Sequence, residues 1–246
     1  MGVKMMAKMA TKTVFTIGLL IMLMSVPALG ASINKSVKIG AGEEAGGATS
    51  VNGSITVGED ATVTGNLKTV NGTIRIDAGA VVEKASTVNG GLKLGDNGKA
   101  EALSTVNGSI RIGEKAMVED EVAAVNGRIT VEKGARIAND VGNVNGEIEL
   151  SGAEVGGDLS TVNGDIDLQD GSVVKGDLIV EEPGGWGSNK EQNRKPRVVI
   201  GPGSRVEGMI VLERKVELYI SETAEVGGVS GVMSMDDAVR FSGDRP

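Results

Sequence analysis

The phrase Val-Asn-Gly occurs seven times, beginning at Val51, Val70, Val88, Val106, Val125, Val144 and Val162, and successive valines are 19, 18, 18, 19, 19 and 18 residues apart. A fixed period of this length decides the fold first, because each repeat is one unit that buries its apolar face only against its neighbours. In the rung that begins at Val51, apolar or small residues fall at Val51, Ile55, Val57, Ala61, Val63 and Leu67, and the next rung has Val70, Ile74, Ile76, Ala80, Val82 and Ala85. Pairs two apart are inward positions of a short strand, and gaps of four are corners. Three short strands joined by tight turns form one coil of a single-stranded parallel β-helix, an all-β solenoid. A degenerate rung opens at Ile33-Asn34-Lys35, and the strand rhythm predicts about ten coils of 18–19 residues. At roughly 4.8 Å per coil the rod is on the order of 50 Å long. A helical repeat is excluded, since the apolar period is two and each recurrent Gly costs a helix about 1 kcal/mol against Ala.

The repeated phrase reads as architecture. Val is expected to fill the core, while Asn and Gly occupy the left-handed backbone region and turn the chain between strands. Stacked coil on coil, Asn52, Asn71, Asn89, Asn107, Asn126, Asn145 and Asn163 form a column, preceded by Asn34. Amides pointing along the axis would donate each to the next and fix the register. Four of these residues, Asn34, Asn52, Asn71 and Asn107, also begin glycosylation sequons, which read as by-products of the repeat.

Residues 1–30 stand outside this rhythm. Lys4, Lys8 and Lys12 precede an apolar or small stretch from Val14 to Val26, and Pro27-Ala28-Leu29-Gly30 supplies the small residues of a cleavage site. That pattern is a secretory signal peptide, and its 13-residue apolar run is too short for a stable transmembrane anchor. The chain is therefore expected to be exported, to the periplasm, the cell surface or the medium. Residues 31–246 carry 22 basic and 33 acidic side chains, a formal charge of −11 that argues against a nucleic-acid partner. The chain has no Cys, so no disulfide holds the fold, and no His, the commonest general base and metal ligand.

The rhythm breaks after Val180. Residues 181–197 (EEPGGWGSNKEQNRKPR) are rich in Pro, Gly and Asn and read as a loop inserted into a β-helix that spans 31–231. This loop holds Trp186 with Lys190, Arg194, Lys195 and Arg197. Trp and Arg commonly anchor interfaces, so Trp186, Arg194 and Lys195 are a candidate contact; the alternative is a loop with an incidental Trp. Residues 232–246 (VMSMDDAVRFSGDRP) read as a C-terminal cap or tail.

After the loop, VVIGPGSRVEGMIV and VELYISETAEVGGVSG carry the phrases Arg205-Val206-Glu207-Gly208-Met209-Ile210 and Glu225-Val226-Gly227-Gly228-Val229. Over residues 198–231 the chain resembles the bactofilins, the polymer-forming cytoskeletal family. The resemblance implies a right-handed, triangular β-helix that assembles end to end without nucleotide.

Enzymatic readings find little to rest on. Acyltransferases and carbonic anhydrases with about 18 residues per coil use His as base or ligand. The acidic residues Glu43/Glu44, Glu119/Glu121 and Asp165/Asp167 are scattered rather than arranged as a catalytic constellation. The tandem Gly-Gly-x-Gly-x-Asp phrase of calcium-binding repeats is absent. No enzyme activity and no cofactor are expected.

One outward column does carry a pattern. The residue between the two inward positions of the first strand reads, coil by coil, Lys38, Thr56, Arg75, Lys93, Arg111, Thr130, Glu149, Asp167, beside Ser36, Ser54, Thr73, Gly91, Ser109, Arg128, Glu147, Asp165. The face runs from basic to acidic, and stacked like charges cost a few tenths of a kcal/mol per pair. Such a column suits an anionic envelope glycan or lipid, or a staggered copy of the chain whose acidic end meets this basic end. Drift among exposed positions accounts for the same letters. The expectation is an exported, non-enzymatic structural or scaffold protein of the cell envelope that associates with itself, with a surface adhesin or anionic-glycan-binding module as the alternative.

Overall fold

The computed structural model describes residues 34–183 and 194–246. The expected signal peptide and Trp186 lie outside these residues. The described chain is all-β, with a single 3-10 turn at Met235–Asp237 and no α-helix. No helix among the described residues is long and apolar enough to cross a membrane.

The strands form the three faces of a parallel β-solenoid. Face 1 stacks eleven strands, from Val37–Ile39 through Ile55–Val57, Ile110–Ile112 and Asp165–Gln169 to Val239–Phe241. Face 2 is built of two-residue strands such as Thr62–Val63, Met117–Val118 and Arg205–Val206. Face 3 contains strands such as Leu67–Asn71, Val122–Asn126 and Ile210–Leu212. In Val81–Asn89 and Lys99–Asn107 one strand rounds the corner between faces 2 and 3 without a break. Pairing is therefore continuous around that corner, yet each strand pairs only with the coils before and after it, so the molecule is a solenoid and not a barrel. Ten strands on each of faces 2 and 3 make ten complete coils.

The core follows from the two-apart pattern. Ile55 and Val57, Ile74 and Ile76, Leu92 and Leu94, and Ile110 and Ile112 point inward from face 1, each at most 3% exposed. Face 2 contributes one aliphatic side chain per coil, such as Val63, Val118 and Ile137, and the adjoining corner holds Ala61, Ala80, Ala116 and Ala135. A small side chain at the corner lets the three faces close on a narrow interior. β-branched residues fill the strands because they pack well on a pleated, buried surface.

The sharp left-handed turns lie between faces 1 and 2, at Asp60 (φ 55°), Gly79 (φ 69°), Asn97 (φ 57°), Lys115 (φ 55°) and Gly134 (φ 74°). This corrects the expectation for Asn-Gly: among the Asn and Gly of the Val-Asn-Gly phrases, only Gly146 (φ 122°) has positive φ, although Asn34 of the degenerate rung does as well (φ 62°). The Val-Asn-Gly corner bends within the extended region, and its glycines answer a different constraint, described below.

Residues 181–197 interrupt the period without disturbing the stack. Ile166 pairs with Val198, 32 positions on, where Ile148 pairs with Ile166 only 18 on. At the C-terminal end the chain begins a partial eleventh coil. Met233 and Ala238 pack on the core, the Val216 N–H donates to Met233 Sδ at 3.3 Å, and Val239–Phe241 pairs with Glu217–Ser221. Asp237 accepts from both the N–H and the hydroxyl of Ser234, at 2.8 and 3.1 Å, holding the 3-10 turn in place.

Candidate interaction surfaces

The Val-Asn-Gly corner joins faces 3 and 1, and three side-chain columns meet there. The Asn amides form a ladder: Asn52 Nδ2 donates to Asn34 Oδ1, Asn71 to Asn52, and so on to Asn163, over seven bonds of 2.6–3.1 Å. Every amide points toward the N-terminus. At the far end Arg214 Nη1 donates to Asn163 Oδ1 at 2.8 Å and to the Val162 carbonyl at 3.1 Å. Burial lowers the pKa of the Arg214 guanidinium.

The glycines serve close approach. A Cβ on Gly72, Gly90, Gly108, Gly127 or Gly146 would overlap the carbonyl oxygen of the corresponding Gly one coil earlier, and on Gly53 it would overlap the Lys35 carbonyl. Each of these carbonyls lies beneath the next Gly Cα. Several also accept a hydroxyl from the coil above: Thr69 Oγ1 donates to Gly53 O at 2.8 Å, Thr87 to Gly72 O at 2.9 Å and Thr105 to Gly90 O at 3.0 Å.

Those threonines correct the expectation for Val. The inward side chain is the one before it, with Thr69, Thr87, Thr105 and Thr161 at most 2% exposed, while Val70, Val88, Val106 and Val162 are half-buried and face outward. The readable signal was a small or polar residue preceding every Val: Ser50, Thr69, Thr87, Thr105, Ala124, Asn143, Thr161.

The charged column occupies the outer side of face 1 in an unbroken register, Lys38 to Thr56 to Arg75 to Lys93 to Arg111 to Thr130 to Glu149 to Asp167. Neighbouring acids relieve part of the stacking. Arg75 pairs with Asp77 at 2.8 Å, Arg111 with Glu132 at 3.5 Å, and Arg128 with both Glu147 at 2.6 Å and Glu149 at 3.5 Å. Burial raises the pKa of Glu147, against the pull of Arg128. Lys38 and Lys93 form no ion pair among the described residues. Beyond Asp167 the column continues through Val199 to Tyr219, with the Arg197 guanidinium 5.1 Å from the Tyr219 ring centre.

Of the loop candidates, Arg194 pairs with Asp165 at 2.5 Å, and Lys195 is exposed. The loop therefore returns to face 1 at the acidic end of the column. Arg245, from the C-terminal tail, comes within 3.9 Å of Asp167.

A second polar column, unforeseen in the sequence, lines the corner between faces 2 and 3. Asp140 Oδ1 accepts the Asp158 N–H, Asp158 Oδ1 the Asp177 N–H and Asp177 Oδ1 the Met209 N–H, each at 2.8 Å. Burial, with the charges of Asp140 and Asp177, raises the Asp158 pKa; burial, with Asp120 and Asp140, raises that of Glu121. Among the described residues no group of three or more acidic side chains is placed to hold a metal ion. Compared with family models, curated proteins and solved structures, the chain matches none.

Proposed function

We propose that the chain is an exported, non-enzymatic β-helix scaffold of the cell envelope that associates with copies of itself. The observation that carries this reading is the use to which the repeat is put. Asn is engaged in the axial ladder, Gly in close coil-to-coil approach, and Thr in holding the Gly carbonyl of the coil below. The repeated residues make a stiff, register-locked rod, and partner choice is left to the outward columns. Export is supported by the basic, apolar and small-residue succession of residues 1–30.

The bactofilin resemblance supports end-to-end assembly, and at the C-terminal end Val239–Phe241 adds an eleventh strand to face 1 while Met233 and Ala238 pack on the core. A second reading, binding of an anionic glycan, is favoured by Lys38 and Lys93, which have no ion-pair partner among the described residues. Electron microscopy and mass measurement of the purified chain over a concentration series test the scaffold reading. Assemblies larger than a monomer are expected, and a strictly monomeric rod at all concentrations would exclude it.

A further inference from the structure

We infer that Asn145–Gly146 is a site of spontaneous deamidation, where the Gly146 nitrogen closes on the Asn145 side chain to form a succinimide that water opens to aspartate or isoaspartate. The modification cuts the asparagine ladder at the coil of Asn145. It goes beyond the scaffold reading and does not depend on it.

Asn-Gly is the dipeptide best suited to this reaction, because a following residue without a side chain leaves its backbone nitrogen accessible. The Val-Asn-Gly phrase presents that dipeptide seven times on one exposed column, each time with the same residue before the Asn. The fold restrains both reacting groups. The electrophile, Asn Cγ, is held by the ladder, in which Asn52 through Asn145 each donate to one neighbour and accept from the other. The nucleophile is the N–H of the following Gly. Gly72, Gly90, Gly108 and Gly127 donate theirs to the Asn carbonyl one coil on, at 2.9–3.2 Å, and Gly164 donates to Thr161 Oγ1 at 2.9 Å.

Two phrases lack the second restraint. Among the described residues, the N–H groups of Gly53 and Gly146 have no hydrogen-bond acceptor. Gly146 differs in two further ways: it is exposed, where the other six glycines are half-buried or buried, and it alone has positive φ, 122°. The ladder is also longest here, since Asn145 Oδ1 receives Asn163 Nδ2 at 3.1 Å. Gly53 is half-buried, which makes Asn52 the slower second site. Asn97–Gly98, the eighth such dipeptide, lies at the corner between faces 1 and 2 and outside the ladder, so the comparison is made within the seven phrases.

The reaction needs only water and hydroxide. Hydroxide removes the Gly146 N–H proton, the nitrogen bonds to Asn145 Cγ, and the Cγ–Nδ2 bond breaks, with the amide nitrogen taking a proton from water and leaving as ammonia. Water then adds to one of the two ring carbonyls and the ring opens. The net change is an amide and water converted to a carboxylic acid and ammonia. An ionised carboxylate at 145 has no proton for Asn126 Oδ1, to which Asn145 Nδ2 donates at 2.8 Å. Isoaspartate also moves the side-chain methylene into the main chain, at a corner where Gly146 packs directly on the Gly127 carbonyl.

The test uses the full purified chain, held in mildly alkaline buffer and sampled over time, with the amide and acid forms of each phrase resolved by peptide mass spectrometry. The same chain in denaturant is the reference, where the seven phrases should react at similar rates. In the folded chain Asn145 should convert first and Asn52 second. Asn71, Asn89, Asn107, Asn126 and Asn163 should be at least about tenfold slower than Asn145, the factor for one hydrogen bond that must break before attack. Thr161→Val removes the acceptor of the Gly164 N–H and should raise the rate at Asn163 by a similar factor, while Thr161→Ser, which keeps the hydroxyl, should not. Circular dichroism of both variants should match the unaltered chain. Equal rates at all seven phrases of the folded chain, or an Asn145 no faster than Asn107, overturns the site. So does an Asn163 that stays slow in a folded Thr161→Val chain. None of these outcomes bears on the scaffold reading, which the mass measurements test separately.

Discussion

Arg214 donates to Asn163 Oδ1 at 2.8 Å and so takes the place that a ninth asparagine would hold in the axial ladder. The ladder has a direction, since each amide donates toward the N-terminus, and its last oxygen needs a donor from outside the repeat. Arg214 should therefore matter more than a surface arginine. Arg214→Ala removes the donors to Asn163 and to the Val162 carbonyl, at an expected cost of about 1–3 kcal/mol in denaturant unfolding. Arg205→Ala, at an exposed arginine on Glu225, should cost less than about 1 kcal/mol.

Interior and terminal rungs of the ladder should differ. Asn107 both donates to Asn89 and accepts from Asn126, whereas Asn34 only accepts, from Asn52. Asn107→Ala breaks two exposed hydrogen bonds and Asn34→Ala one, so the expected losses are about 1–2 and about 0.5–1 kcal/mol. Asn107→Asp should be worse than Asn107→Ala at neutral pH, because a carboxylate cannot donate to Asn89 Oδ1 and faces it as a second acceptor. Equal stability of the two variants would show that the amide bonds do not set the register.

At Gly108 the constraint is steric and not conformational. A Cβ there overlaps the Gly90 carbonyl oxygen, and that atom belongs to a backbone fixed by its own coil. Gly108→Ala should cost roughly 3 kcal/mol, at the upper end of ordinary overpacking, or prevent folding. Gly134→Ala meets no close backbone atom but stands at φ 74°, so its cost is left-handed strain of about 1–2 kcal/mol. The order of the two midpoints checks the distinction.

The rod itself was readable because its period and its two-apart aliphatic pairs are local features of the sequence, and parallel stacking turns a constant period into a constant register. The inward residue at the repeat corner was not readable from apolar character. In Leu67–Asn71, Val70 looks like the core residue, yet alternation from Leu67 puts Thr69 inside. A buried hydroxyl is acceptable there only because Gly53 O lies 2.8 Å away, sixteen residues earlier in the chain. The Arg214 cap was hidden for a similar reason, since it lies 51 residues beyond Asn163 and across the inserted loop. The charged column was legible from the repeat period, but its ion pairs with Glu132 and Glu147 depend on side-chain reach across coils.

Ala124 interrupts the inward hydroxyl column and offers a gain. It pairs in register with Thr105, whose hydroxyl reaches Gly90 O at 3.0 Å, so a threonine at 124 would face Gly108 O in the same way. Ala124→Thr should stabilise the rod by about 1 kcal/mol, and Thr105→Val should destabilise it by a similar amount. Loss of stability in Ala124→Thr would mean that the coil at that position is too tight for the added atoms.

The acidic corner column predicts a pH dependence of definite sign. Burial and the neighbouring charges of Asp140 and Asp177 raise the Asp158 pKa, and burial with Asp120 and Asp140 raises that of Glu121, with Lys84 opposing. A carboxyl with a raised folded pKa holds its proton more tightly folded than unfolded, so its stabilising contribution is complete below the unfolded value and is lost as pH rises through the folded value. Glu154, whose pKa Lys175 lowers, acts the other way, and its contribution is lost only as pH falls through that lowered value. On lowering the pH from neutral into the mildly acidic range, the raised group responds first, and the thermal midpoint should rise before it falls. Asp158→Asn keeps an oxygen to accept the Asp177 N–H at 2.8 Å but carries no charge. It should raise the midpoint at neutral pH and flatten the rise on acidification, and an unchanged pH profile would assign the dependence to other groups.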